Sequence, residues 1–124
     1  MPAILIANPL QLDLPVVGPV ASSIGEPVVQ LKCFVAAELN NEQVETGVWE
    51  ASPGRWRRQI IQAELSHFIA GRCTFVPDSG ATFDISTGDA VYSLPILWGS
   101  GTSMKLSARP MSFLTTVNRP ARCG

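Results

Sequence analysis

The chain has 124 residues, 46% of them hydrophobic and 15% charged, and its 9 Lys+Arg against 10 Asp+Glu give a net charge of −1. That size and apolar content fit one globular domain with a real core and exclude a disordered chain. The near-neutral charge excludes a broad electrostatic field for nucleic acid or an anionic membrane, so a charged partner must be recognised locally.

Residues 1–26 read as an extended N-terminal arm, with Pro2, Pro9, Pro15, Pro19, Gly18 and Gly25 breaking any helical or strand period. The alternation Leu10, Leu12, Leu14 suggests an added edge strand within the arm. The apolar start lacks the basic region and cleavage pattern of a signal peptide. No stretch approaches the roughly 18 uninterrupted apolar residues of a membrane helix.

Residues 27–124 read as a single β domain. Short strands are expected at Val29–Phe34, Thr46–Ala51, Arg55–Gln62, Leu65–Ala70, Arg72–Val76, Thr82–Ile85, Ala90–Leu94, Ser103–Leu106 and Met111–Thr116. The one helical expectation is the short stretch Phe34–Asn40. Pro77-Asp78-Ser79-Gly80 has the chemistry of a hairpin turn, and Gly88-Asp89 marks a tight entry into the next strand. Many short strands with Gly and Pro between them predict an all-β sandwich or closed barrel.

Cys33, Cys73 and Cys123 show no metal or redox spacing. Cys33 and Cys73 lie in apolar segments and read as buried small hydrophobes, which fits a reducing, cytoplasmic setting.

The middle of the chain carries an ordered set of signals: Gly47-Val48-Trp49-Glu50, Pro53-Gly54-Arg55-Trp56, Glu64 followed by Gly71, and Gly88-Asp89-Ala90-Val91. From Thr46 to Leu114 this resembles the small single-domain cupins related to the cupin domain of ureidoglycine aminohydrolase. The resemblance implies a double-stranded β-helix, the cupin jelly-roll barrel, commonly a homodimer, with a small-molecule pocket in the barrel mouth. The cupin family also implies a histidine-built metal site. Here Glu64 and Gly71 match the end of the first cupin motif, but the paired histidine positions fall on Arg57 and Gln59, or on Arg58 and Ile60. In the second motif, which would start at Gly88, the histidine position falls on Gly99 or Ser100. No metal is therefore expected, although a divalent ion held with Glu64 or His67 is kept as a further reading.

His67 is the chain's one histidine. Glu64 and His67 are the catalytic candidates, since carboxylate and imidazole are the usual acid/base groups. Residues three apart on a strand point to opposite faces, so a bulge would be needed to bring them together. Otherwise His67 is a space-filling ring and Glu64 is paired with Arg57 or Arg58. Alternation puts Arg55, Arg57 and Gln59 on one face of their strand and Trp56 and Arg58 on the other. If the first face lines the pocket, Arg57 could grip a carboxylate or phosphate through its planar fork; if not, it is a solvated surface charge.

Two functional readings follow. The first is a barrel that binds a small polar or anionic metabolite without a working metal site, with Arg57 and Gln59 orienting the ligand, Glu64 pairing with a donor, and Tyr92 and Trp98 as apolar wall. The second is an enzyme of aminohydrolase or isomerase type using Glu64 or His67. Neither involves nucleic acid or a membrane. The hydrophobic arm and open sheet edges suggest a two-fold homodimer.

Overall fold

The computed structural model describes residues 3, 5–38, 45–58, 63–78, 80–93, 102–106 and 110–117. Within them lie ten strands: β1 (Val16–Pro19), β2 (Gln30–Glu38), β3 (Glu45–Ala51), β4 (Gly54–Arg58), β5 (Glu64–Ala70), β6 (Cys73–Pro77), β7 (Phe83–Ile85), β8 (Ala90–Ser93), β9 (Thr102–Leu106) and β10 (Met111–Val117). They form a six-stranded sheet in the order β1-β2-β3-β10-β5-β8 and a four-stranded sheet in the order β4-β9-β6-β7. All the strand pairs are antiparallel. From β3 to β10 the chain crosses between the two sheets at nearly every connection, which winds it around a shared interior as a jelly roll. The all-β expectation holds.

Alternation decides what fills that interior. In β5, Glu64, Ser66 and Phe68 are buried while Leu65 and His67 are exposed. In β4, Gly54 and Trp56 are buried while Arg55 and Arg57 are exposed. Side chains two apart share a face, so each strand sends one set inward and the other to solvent. The apolar core joins Val29, Leu31, Ala51, Trp56, Phe68, Cys73, Phe75, Ile85, Met111 and Phe113 across both sheets. Its centre is aromatic: Phe68 meets Phe75 edge-on with centroids 6.3 Å apart, and lies 5.4 Å from Phe113, which stacks on Trp49 at 6.3 Å. Such offset and edge arrangements add to the burial of these large side chains.

Turn chemistry follows the sequence where it was strongest. Gly71, between β5 and β6, has a φ of 86°, and a Cβ there would lie 2.5 Å from the Pro110 carbonyl oxygen. At the entry to β8 the Asp89 amide donates to the Ser86 carbonyl at 3.0 Å, and the Ser86 amide donates to Asp89 Oδ2 at 2.8 Å.

Two expectations need correction. Residues from Phe34 to Glu38 belong to β2, not to a helix: Val35, Ala37 and Glu38 pair with Gly47, Thr46 and Glu45 of β3. Cross-strand pairing overrides the helical preference of Ala and Glu. The remainder of that stretch, Leu39 and Asn40, lies outside the described residues. In the arm, Leu10–Leu14 is not the edge strand. Pro9–Gln11 forms a short 3-10 turn, and the strand that pairs with β2 begins at Val16.

A second arm segment covers the edge of β4. The Ile24 amide donates to the Arg55 carbonyl at 2.8 Å, and the Arg57 amide donates to the Ser22 carbonyl at 3.0 Å. Among the described residues no helix is long and apolar enough to cross a membrane. Cys33 and Cys73 are both buried, as expected. Cys73 is a free thiol, but Cys33 is disulfide-bonded, which departs from the reduced state read from the sequence.

Candidate functional site

The register of the larger sheet stacks the interior in levels. At the aromatic level Trp49, Phe113 and Phe68 are cross-strand partners. The next level pairs Gly47 with Thr115 and Thr115 with Ser66, and the one after pairs Glu45 with Val117 and Val117 with Glu64. Each step of two residues along β3, β10 and β5 thus moves the interior from aromatic to hydroxyl to carboxylate. The polar side chains are nevertheless buried: Glu45 is 6% exposed, Glu64 7%, Ser66 4% and Thr115 7%.

Buried polar groups require partners, and these have them. Ser66 Oγ and Thr115 Oγ1 share a hydrogen bond of 3.3 Å. Arg58, on the inward face of β4 in the opposite sheet, donates from Nη2 to Glu64 Oε2 at 3.1 Å. This ion pair bridges the two sheets, with Arg58 partly exposed at the rim and Glu64 shielded beneath it. The result is a polar end of the barrel: an acid level closed by one guanidinium, a hydroxyl level below it, and an aromatic floor. Such an arrangement gathers both donors and acceptors at one end of the interior.

The sequence candidates separate accordingly. Glu64 points inward and pairs with Arg58, one of the two arginines considered for it. His67 lies on the outer face of β5, opposite Ala90 of β8, so it does not join Glu64. The register shift between β5 and β10 falls at Ser112/Phe113, beyond this pair, and leaves the alternation from Glu64 to His67 intact. Arg57 points away from the barrel. Its Nη1 donates to Asp78 Oδ1 at 2.8 Å, and its Nη2 donates to Asp78 Oδ2. The hydrogen bond and then the charge of Asp78 raise its pKa. The conditional role for Arg57 inside the pocket does not fit this geometry, because Trp56 takes the inward position and turns both neighbours outward. Tyr92 is 60% exposed on edge strand β8 and pairs with the outward-facing Leu65. Gln59 and Trp98 lie outside the described residues.

Glu45, Ser66 and Thr115 are interior polar residues that sequence reading did not single out. Their signal was present as alternation: Glu45 shares parity with Gly47, Trp49 and Ala51, and Ser66 sits between Glu64 and Phe68.

A sequence profile of the EutQ-like cupin domain matches residues 39–103. The chain belongs to the EutQ-like cupin domain family. Solved structures agree with this cupin's fold. A protein of unknown function from Pseudomonas syringae pv. tomato superposes with a TM-score of 0.74 at 23% identity, covering 89% of this chain and 46% of its own. The Clostridium difficile EutQ protein gives 0.62 at 14% identity, covering 83% and 81%. A putative ethanolamine utilization protein Q from Salmonella typhimurium gives 0.59 at 18% identity, covering 85% and 79%. The cupin described here spans about half the length of the Pseudomonas protein, and identities at this level speak to the fold alone. None of the curated proteins matches it.

A metal is the group that cupins most often imply in this position. Among the described residues no three His, Cys, Asp or Glu side chains come together as a metal-binding group. The interior polar end instead has a guanidinium against its best carboxylate, and a fixed cation beside that oxygen disfavours a second. The described residues do not fit the usual cupin ion.

Proposed function

We propose that this EutQ-like cupin binds a small polar metabolite at the polar end of its barrel, with Arg58 and Glu64 as the orienting pair. The supporting observation is the Arg58–Glu64 ion pair spanning the two sheets above the Ser66–Thr115 hydrogen bond. Arg58, not Arg57, is the guanidinium on the inward face of β4, so the ligand-gripping role falls to it. A planar fork suits a carboxylate or phosphate edge, while Glu64 accepts from a donor on the same molecule. Trp49, partly buried against the core, supplies apolar wall.

Resemblance to the ureidoglycine aminohydrolase cupins supplies the second reading, an enzyme acting on a small carbonyl or amide compound. Glu64 is its one described interior candidate from the original pair, because His67 faces solvent. The binding reading is preferred, since Glu64 is already committed to Arg58. A two-fold homodimer and the absence of a cofactor belong to the same proposal. Light scattering checks the first, with twice the 13.3 kDa chain mass expected, and metal analysis of purified protein checks the second.

Thermal-shift screening against small carboxylates, phosphates and sugars tests the binding reading, because a ligand that prefers the folded state raises the melting midpoint. At least one class should shift wild type and the Arg57→Ala variant alike, and lose its effect in Arg58→Ala. No shift with any class, or an unchanged shift in Arg58→Ala, would overturn it.

A further inference from the structure

The outer face of the smaller sheet carries an unusual pairing. Arg55 of β4 and Lys105 of β9 are direct cross-strand partners, and both are exposed. Partners of this kind hold their Cβ atoms about 5 Å apart, and like charges there oppose sheet formation. Neither residue forms an ion pair among the described residues. Two residues along β4, Arg57 shares this face, with its charge matched by Asp78. Across β6, the row continues from Lys105 to Thr74 and then to Asp84, whose Oδ1 accepts from Thr74 Oγ1 at 3.0 Å. A chain of net charge −1 thus places two cations without an ion pair among the described residues side by side on one strand pair, with the Arg57–Asp78 pair and Asp84 beside them.

We infer that the β4–β9 outer face docks a short acidic segment of a partner protein, with Arg55 and Lys105 as its electrostatic centre. Charge complementarity is the ground for that occupant, and the surroundings narrow it. Single-stranded nucleic acid needs stacking platforms and a continuous basic track. The described side chains of this face are Arg55, Arg57, Lys105, Thr74, Val76 and Asp84, with no aromatic among them. An anionic membrane calls for a larger basic cluster than Arg55 and Lys105 provide, and Asp84 would repel an extended polyanion. Addition of a strand at the β4 edge is blocked, because Ser22–Ile24 already occupies those backbone groups. A short run of Glu or Asp lying across the strands meets both cations and stops before the acidic border. This surface lies on the opposite side of β4 from the barrel interior and does not depend on a ligand there.

Fluorescence anisotropy with a labelled alternating Glu–Ser peptide of about four residues, which spans about 13 Å and so crosses the strand pair without reaching past Asp84, tests the inference. At low salt the wild-type protein should bind it, and raising the salt should weaken binding. Arg55→Glu and Lys105→Glu should each weaken binding by about tenfold or more. Lys105→Gln should weaken it less. Because Lys105→Glu replaces a repulsion by an attraction, its melting midpoint should equal or exceed that of wild type. No wild-type binding, unchanged binding in the charge-reversed variants, a lower midpoint in Lys105→Glu, or equally tight binding of single-stranded RNA or phosphatidylserine vesicles would each overturn it.

Discussion

Arg57 and Arg58 are adjacent, chemically identical and opposite in role. One sits in water against Asp78, and the other reaches into the barrel to Glu64. Removing a partner from a buried pair leaves an uncompensated charge, whereas an exposed pair is screened and contributes little. Arg58→Ala should therefore destabilise the fold by about 2 kcal/mol, a value reduced for the partial exposure of Arg58. Glu64→Gln, which leaves a neutral acceptor, should cost about 1 kcal/mol. Urea denaturation checks both, and Arg57→Ala should leave the midpoint unchanged. The parity of Trp56 was the sequence signal that separates the two arginines: a buried Trp inward requires Arg57 outward. Which parity faced the interior was not legible from the strand alone, since a row of cations can line a pocket or meet solvent.

Cys73 makes a pH-dependent contribution. Burial pushes its thiol from 9.0 up to about 12, because a thiolate would lose its hydration in the core. The folded state thus holds its proton where the unfolded chain has released it. This contribution to stability is full below pH 9.0 and is lost as the pH rises from there towards about 12. Native Cys73 should resist alkylation at pH 8 and react rapidly once unfolded in urea. Rapid alkylation of the folded protein would contradict its burial.

At the scale of elements, the turns were more legible than the strand ends. Gly71 and Gly88 both adopt positive φ, at 86° and 97°. Their surroundings differ: a Cβ on Gly71 would meet Pro110 and Met111 backbone atoms at 2.5 and 2.8 Å, whereas nothing lies within 4 Å at Gly88. Gly88→Ala should cost about 1 kcal/mol, the strain of the left-handed backbone alone. Gly71→Ala should cost roughly 3 kcal/mol, because β10 must also shift. Equal losses in chemical denaturation would show that steric approach to β10 is unimportant. Positive-φ demand could be read from Gly in turn context, but close approach of a strand distant in sequence could not. The same limit explains β2, where Ala36, Ala37 and Glu38 favour a helix locally and pair with β3 in the fold.

For the whole molecule, short alternating strands and punctuating glycines were enough to expect an all-β sandwich or closed barrel, and the resemblance to small cupins implied the jelly roll. Strand order was a different matter. Placement of β10 between β3 and β5 joins residues far apart in sequence, and this single insertion aligns Glu45 with Glu64 through Val117. Glu45 therefore carries no local signal of this alignment, whereas the spacing of Glu64 to Gly71 marks it. The same strand binds the aromatic floor together through Phe113, which contacts both Trp49 and Phe68. Phe113→Ala should destabilise the domain by about 4 kcal/mol, with both sheets unfolding in one transition. Separate transitions by Trp fluorescence and circular dichroism would indicate that the sheets do not share one core.

Amide chemical-shift mapping with the small-molecule class that gives the largest thermal shift examines the barrel site most directly. The perturbations should centre on Arg58, Glu64, Ser66 and Thr115 and should vanish in Arg58→Ala. Perturbations confined to Arg57 and Asp78 on the outer face, or persisting at full size in Arg58→Ala, would contradict a binding site inside the barrel.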